Sequence, residues 1–318
     1  MAPASQQGGG ANSPDPPPFF NCQKKEGVWG SSSPPACLGL CSGIATTSRT
    51  LILTADDFGR SPEVNAAVER AHRDGVLTAA SLMIGEPAAP EAIAIARRNP
   101  SLAVGLHLTL TDGTPTLPPD RIPALVNPRG QFRDDMAGLG LVLATSAAAR
   151  RQLAAEVAAQ VAAFHATGLA CAHLDAHRHY HLHPIIGGIA CRIAAAAGVP
   201  RIRVPWEPPS LVPGAPRALW PMAALLRRIA ARHGLWAADR VVGLAWSGAF
   251  TADRLLAVLP RLPPGTTELY FHPATAGGFP GAAPGYRYAD ELAALLDPRV
   301  QAAVASRMAA QDGHYPLA

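Results

Sequence analysis

The sequence predicts an α/β barrel with about seven parallel strands, and three observations support this fold class. Short apolar runs alternate with segments of helical periodicity from residue 49 onwards. Repeated strand and helix units are typical of a parallel sheet covered by helices, and seven or eight of them commonly close into a barrel. Acids or histidines follow several apolar runs, at the strand ends where such barrels carry their chemistry. Of the 318 residues, 48% are hydrophobic, which is enough for a substantial core.

The elements are predicted in order along the chain. The strand TLILTADDFG precedes the helix SPEVNAAVERAHRDG, in which Ser61 is the N-cap, Pro62 lies in the first turn and Gly75 ends the helix. The strand TAASLMIG, the helix PEAIAIARRN and the strand SLAVGLHLTL follow. A long helix from about Ser146 to Thr167 leads to the strand ACAHLDAH. The remaining units are PIIGGIACRIAAAAG (helix), VPRIRVP (strand), RALWPMAALLRRIAARHG (helix), RVVGLAW (strand), TADRLLAVL (helix), TELYFHP (strand) and a helical pair from Ala289.

Two segments depart from this alternation. Residues 1–48 are rich in Pro, Gly and Ser without any period, and this composition predicts a disordered N-terminal arm before a barrel domain at 49–318. Residues 111–145 form an irregular stretch that is long for a barrel loop. Such loops are usually lids or substrate-binding elements, so we expect a lid-like insertion above the catalytic edge.

Composition excludes several classes of protein. The net charge is +4, but the basic residues are dispersed among acids, so no nucleic-acid surface is expected. The five cysteines form no CxxC pair, which argues against a disulfide framework. The sequence contains no run of about 18 apolar residues, so no membrane span is expected. The N-terminus lacks the apolar core of a signal peptide. A cytoplasmic protein is expected, with the inner face of the membrane as an alternative place of action.

The segment HLDAHRHYHLHP places five histidines and Asp175 on every second residue from His173. Alternate residues of a strand share a face, so His173, Asp175 and His177 are expected to point the same way. Neutral imidazole is the commonest metal ligand. One ion cannot accept all five histidines, so the others are expected to orient ligands, to transfer protons or to face solvent.

Two further segments supply candidate ligands. Asp56 and Asp57 close the apolar strand of TADDFG, and burying two unpaired acids is costly unless a cation or strong donors face them. The alternative is that they only cap the following helix. His107 lies within the apolar strand GLHLTL, where an imidazole also needs a partner. All three segments are predicted to end at the same edge of the barrel.

The chain resembles the YdjC-like carbohydrate deacetylases, the family of diacetylchitobiose deacetylase. The resemblance covers about residues 50 to 307, in the order TADDFGRSPEVNAAVERAHRDGVLTAASLM, NPSLAVGLHLTLTDGTP, HLDAHRHYHLHP, FHPA and GYRYADELAALLDPRV. The hopanoid-biosynthesis-associated branch is similar in three more segments, LPPDRIPALVNPRGQFRDD, ARRQLAAEVAAQVAAFHATGL and RIRVPWEP. The chain departs from many relatives in DAHRHYH, at Ala176 and Arg178.

The resemblance implies a divalent-metal amide hydrolase on a barrel related to the polysaccharide deacetylases, which releases acetate from an N-acetylated sugar. It implies that Asp57, His107 and His177 bind the metal, that Asp56 is the general base and that His272 is the general acid. One Asp and two His leave coordination positions open, as catalytic zinc sites do. Zinc fits these ligands best, with magnesium, manganese or iron as alternatives.

Other residues are expected to support this site. Asp175, His179 and His181 are candidates to orient or tune the metal ligands. Asn65, Arg203 and Trp206 are candidates for contact with the substrate. The alternatives are a helix-surface amide for Asn65, a solvated or paired guanidinium for Arg203 and a core aromatic for Trp206. Sugars stack on aromatic rings, so further wall candidates are Trp246, Tyr286 and Tyr288.

The expected partner is an N-acetylglucosamine unit, carried on a hopanoid glycolipid or present in a free chito-oligosaccharide. A metal- or sugar-binding protein without turnover is the alternative from another class. The sequence is compatible with a homodimer and with peripheral membrane contact but specifies neither.

Overall fold

The computed structural model describes residues 50–309, which form a parallel sheet of six strands in the order β4-β3-β2-β1-β6-β5. The predicted N-terminal arm, residues 1–48, lies outside the described residues. The strands are β1 (Leu51–Phe58), β2 (Ala79–Leu82), β3 (Ala103–Leu108), β4 (Leu174–Ala176), β5 (Arg240–Val242) and β6 (Thr267–Phe271). Their residues are almost all buried, as expected for a parallel sheet covered on both faces. The predicted α/β class is confirmed.

Nine α-helices lie within the described range, and two of the predicted helices begin at a serine cap. Ser61 Oγ accepts from Val64 N at 3.3 Å to start α1, and Ser146 Oγ accepts from Ala149 N at 3.2 Å to start α4. None of the helices in residues 50–309 is long and apolar enough to cross a membrane. The helices are α1 (Pro62–Arg73), α2 (Ala89–Arg98), α3 (Met136–Thr145), α4 (Ala147–Ala166), α5 (Pro184–Ala196), α6 (Trp220–Arg232), α7 (Ala252–Val258), α8 (Tyr288–Leu296) and α9 (Pro298–Ala309).

The expected count of seven strands is not confirmed, because the VPRIRVP segment forms isolated bridges instead of a regular strand. Residues 200–206 nevertheless hydrogen-bond to both edge strands of the sheet. Arg203 N donates to Leu174 O of β4 at 3.0 Å, and Val241 N of β5 donates to Trp206 O at 2.9 Å. The six-stranded sheet is therefore curled, and this segment lies between its two edges.

The insertion at 111–145 is less irregular than expected, since its end forms α3. The sequence MAGLGLVLAT contains two glycines and no charged residue, so no polar face marks a helical period; Asp135 Oδ1 starts the helix by accepting from Gly138 N at 2.8 Å. The buried Glu156 of α4 accepts from Thr116 N at 2.8 Å and Leu117 N at 3.0 Å. These bonds attach the insertion to the helix that covers the sheet.

Candidate metal centre

A cavity of about 480 Å³ opens at the carboxyl edge of the sheet. It collects residues from the ends of β1, β3, β4 and β6. Its lining includes Asp56, Asp57, His107, His177 and His272. The edge at which the sequence predicts these residues to meet is therefore the edge where they lie.

A local distortion of β1 turns both adjacent acids towards the cavity. Successive strand residues normally point to opposite faces, yet both Asp56 and Asp57 line the cavity. Asp57 has a φ of 64°, in the left-handed region that residues other than glycine rarely adopt, and the register with β2 shifts between Ala55 and Phe58. Such bulges re-aim side chains next to active sites, and the strain is typical of functional positions.

The five histidines of HLDAHRHYHLHP do not share one face, because the strand stops at Ala176. Arg178 and His179 have φ values of 53° and 52°, so the chain turns sharply through residues 177–182. The imidazoles therefore have different partners. His173 contacts Ser81, His177 contacts Asp57, His179 contacts Tyr270 and His181 contacts the Arg203 carbonyl. The fifth histidine, His183, is the residue at which α5 begins. The regular spacing thus supplies one candidate metal ligand, His177, and four histidines with other contacts.

Asp57, His107 and His177 present ligand atoms that all lie within 4.8 Å of one another. Asp57 Oδ1 lies 2.9 Å from His177 Nδ1 and 3.4 Å from His107 Nε2. The second nitrogen of His107, Nδ1, lies 2.8 Å from Asp175 Oδ1. A carboxylate behind a ligating histidine fixes the tautomer and aims the free nitrogen at the ion, so Asp175 lies where it can orient His107.

The balance of buried charge fits a divalent cation. Four buried carboxylates meet three buried guanidinium groups in this region. The carboxylates are those of Asp56, Asp57, Asp175 and Glu268, and the guanidinium groups are those of Arg60, Arg201 and Arg203. The excess of one negative charge acts on the imidazoles of His107 and His177. Burial alone would lower the pKa of His107, but the neighbouring Asp175 and Asp57 raise it to about 10; the pKa of His177 is raised in the same way, mainly by Asp57. Positive charge is therefore stabilised at this point, as an ion held by these residues requires.

A second set of ligand atoms, from Asp56, His107 and Asp175, is equally compact. Its two carboxylates already contact the Arg203 guanidinium, at 2.6 Å for Asp56 and 2.7 Å for Asp175. A cation among them would face that positive charge at close range. The set with Asp57 is thus the better metal site.

Arg203 is completely buried and connects three acids. It donates to both oxygens of Asp56, at 2.6 and 2.8 Å, and lies 2.7 Å from Asp175 and 2.9 Å from Glu268. Two parallel bonds of this kind fix the plane of a carboxylate. The position of Arg203 therefore fits the orientation of Asp56 better than contact with a substrate.

The site also contains Asp112 and Arg60, which the sequence pattern does not single out, and Arg178, which the sequence marks only as a departure from many relatives. Asp112 Oδ2 lies 3.1 Å from Arg60, 3.0 Å from Arg178 and 3.6 Å from His177 Nε2. The neighbouring His177 and the two arginines lower the pKa of Asp112 to about 2, although its burial acts against this. The aspartate in LTLTDG immediately after the His107 strand was the signal available for it.

His272 lies on the other side of the cavity, between two aromatic rings. Its ring packs edge-on against Tyr270 and Tyr286, with centroids 5.6 and 5.1 Å away. Its backbone N–H donates to the buried Glu291, which fixes the loop after β6. Tyr286 and Tyr288 also line the cavity.

Asn65 and Trp206, two of the candidates for substrate contact, are absent from the residues that line the cavity. Asn65 is completely buried and is bonded to Gly59 N at 2.8 Å, Ala88 O at 3.0 Å and Glu91 at 2.8 Å. It therefore supports the turn after β1. Trp206 stacks on Trp220 at 4.8 Å and lies outside the residues that line the cavity.

Comparison with known proteins identifies the family to which the chain belongs. The profile of the family described as YdjC-like protein matches residues 50–306. A carbohydrate deacetylase of Geobacillus stearothermophilus is 32% identical over 262 residues, which cover 81% of this chain and 94% of that protein. A carbohydrate deacetylase of Brevibacillus brevis is 38% identical over 156 residues, which cover 49% of this chain and 59% of that protein. A solved structure of a proposed cellobiose-phosphate cleavage protein from Enterococcus faecalis has a TM-score of 0.66 at 25% identity and covers 82% of this chain and 95% of its own.

Proposed function

Since the chain belongs to the YdjC-like family, we propose that it is a metal-dependent N-deacetylase of an N-acetylglucosamine-type sugar. The enzyme class expected from the sequence, a hydrolase that acts on amide bonds, is confirmed by the carbohydrate deacetylase relatives. The products of the proposed reaction are acetate and a free amine. The observation that carries the proposal is the convergence of Asp56, Asp57, His107, His177 and His272 on one cavity.

Asp57, His107 and His177 would hold one divalent ion. Three protein ligands leave coordination positions open, and an imidazole-rich set favours zinc, with magnesium or another divalent ion as alternatives. When bound, such an ion would polarise the acetyl carbonyl and lower the pKa of water. The cavity volume of about 480 Å³ is within the range of small-molecule sites.

Asp56 is the proposed general base. Its two oxygens accept from Arg203, which leaves further lone pairs for the proton that water loses as it attacks the carbonyl. The same contact fixes the direction from which Asp56 approaches the reacting atoms.

His272 is the proposed general acid. The leaving amine needs a proton when the C–N bond breaks, and the His272 ring stands in the wall of the cavity between two tyrosines. Its Nδ1 is buried and has no hydrogen-bond partner within the described part of the chain. Tyr286 and Tyr288 would provide aromatic surface for the sugar ring.

A hopanoid glycolipid is the narrower substrate that we propose, and a free chito-oligosaccharide is the alternative. The support for the glycolipid is the resemblance of three segments to the hopanoid-associated branch, together with the apolar Pro216, Leu219 and Leu244 in the cavity lining. The support for the free sugar is the carbohydrate deacetylase description of the relatives.

The test is mass spectrometry of N-acetylglucosaminyl hopanoid and of diacetylchitobiose after incubation with the zinc-loaded protein. We expect metal-dependent loss of acetyl from one of them, abolished by a chelator. Asp56→Asn should retain zinc and lose at least about 100-fold in turnover, since a positioned acid or base contributes about 10²–10⁴-fold. Asp74→Asn, an exposed acid that ends α1, is the matched control and should keep full activity.

The outcomes separate the hypotheses. Loss of acetyl from the hopanoid alone supports the glycolipid, and loss from diacetylchitobiose alone supports the free sugar. If neither substrate loses acetyl while zinc is bound, the hydrolytic proposal is contradicted and a binding protein without turnover is favoured.

A further inference from the structure

Asp112 occupies a strained position between the insertion and the metal centre. It lies near the start of the 111–145 insertion and has a φ of 48°, which costs free energy for a residue with a side chain. Its side chain is 34% exposed and lines the cavity. Strain of this kind persists where surrounding contacts over-determine it, and here the contacts are those with Arg60, Arg178 and His177.

The two ring nitrogens of His177 face different partners. Nδ1 lies 2.9 Å from Asp57 Oδ1 and therefore points to the shared ligand site. Nε2 lies 3.4 Å from Arg60 and 3.6 Å from Asp112 Oδ2. An imidazole that binds metal through Nδ1 carries its proton on Nε2 and needs an acceptor there. The guanidinium of Arg60 has no acceptor atom, whereas the carboxylate of Asp112 does.

We propose that Asp112 is a positioning residue that accepts the Nε2 proton of His177 and so aims Nδ1 at the metal. The distance of 3.6 Å is longer than a hydrogen bond, so this contact would shorten when the ion binds. Asp112 would then do for His177 what Asp175, at 2.8 Å, does for His107. This inference rests on the proposed metal site and extends it by one residue.

The two arginines explain why Asp112 can be held at this place. Arg60 is buried and donates to Asp112, and the same Nη2 atom also donates to Gly281 O at 2.8 Å. Arg178 approaches from the histidine turn, and its side chain is 46% exposed. The bridge from Arg178 to Asp112 thus links the insertion directly to the segment that carries His177.

The experiment measures zinc affinity by competition with a chromogenic chelator. Asp112→Ala should weaken zinc binding by about 10- to 100-fold, which is the usual effect of losing a carboxylate behind a metal ligand. Asp112→Asn keeps the size of the side chain and an acceptor atom, so it should fold and show a smaller loss. Asp120→Ala changes an exposed acid of the same insertion and should bind zinc as the wild type does.

Further readouts separate positioning from a merely structural role. The absorption spectrum of the cobalt-substituted protein should change in Asp112→Ala and not in Asp120→Ala, because it reports ligand geometry. Arg178→Ala removes a contact of Asp112 but leaves the acceptor, so its zinc affinity should fall by less than that of Asp112→Ala. Zinc affinity of Asp112→Ala within about twofold of the wild type would overturn the inference. If the wild-type protein itself binds no zinc, the proposed function fails first.

Discussion

Arg203 compensates the charge of three buried carboxylates in the site. Its guanidinium is the shared partner of Asp56, Asp175 and Glu268, all of which are buried. Removing one member of a buried ion pair leaves uncompensated charge and commonly costs about 3–5 kcal/mol. The stability of the fold and the aim of Asp56 therefore depend on the same side chain.

We expect Arg203→Met to lower the free energy of unfolding by about 3–5 kcal/mol, because three buried carboxylates lose their cation. Urea unfolding in the presence of a chelator measures this without any contribution from metal. Arg192→Ala, at an exposed position of α5, should change it by less than about 0.5 kcal/mol. A loss below about 1 kcal/mol for Arg203→Met would show that the carboxylates do not depend on Arg203.

At the scale of elements, Glu156 joins the insertion to α4. It is fully buried and accepts two backbone N–H groups, those of Thr116 and Leu117, while Gln160 donates to it at 2.8 Å. Glu156→Ala should leave these donors without a partner and release the start of the insertion, since each unmade buried bond costs about 1–3 kcal/mol. Hydrogen exchange at the amides of Thr116 and Leu117 should rise by at least tenfold.

The comparison for that prediction is Arg151→Ala, an exposed position of the same helix, which should leave the exchange unchanged. Equal protection of Thr116 and Leu117 in Glu156→Ala and the wild type would mean that other contacts hold the insertion.

The sequence was informative where local chemistry decides the outcome. Ser61 and Ser146 start the predicted helices, because capping depends on residues three positions away. Asp57, His107 and His177 meet as expected, because all end neighbouring parts of one parallel sheet. By contrast, the strand-like spacing of the histidines does not predict the turn in this segment. The turn forms because the backbone at Arg178 and His179 adopts the left-handed region. The role of Arg203 as a shared cation depends on residues up to 147 positions away, so spacing alone does not reveal it.

At the scale of the whole molecule, the candidate metal ligands connect separate parts of the sheet. Asp57 belongs to β1 and His107 to β3, which β2 separates, while His177 follows β4. These ligands are 50 and 70 residues apart along the chain, so the unfolded chain presents no comparable site. An ion that binds only the native state stabilises it by mass action.

We therefore expect zinc to raise the thermal midpoint of the protein by several degrees. Free zinc at about 100 times its dissociation constant adds about 2.7 kcal/mol to the free energy of unfolding. His107→Ala should abolish most of this shift, because it removes one of the three candidate metal ligands. His165→Ala, which changes an exposed histidine of α4, should retain the shift and so controls for zinc held by surface imidazoles. Equal shifts in the two variants, measured by scanning calorimetry, would place the stabilising ion elsewhere and contradict the assignment of the centre to the ends of β1, β3 and β4.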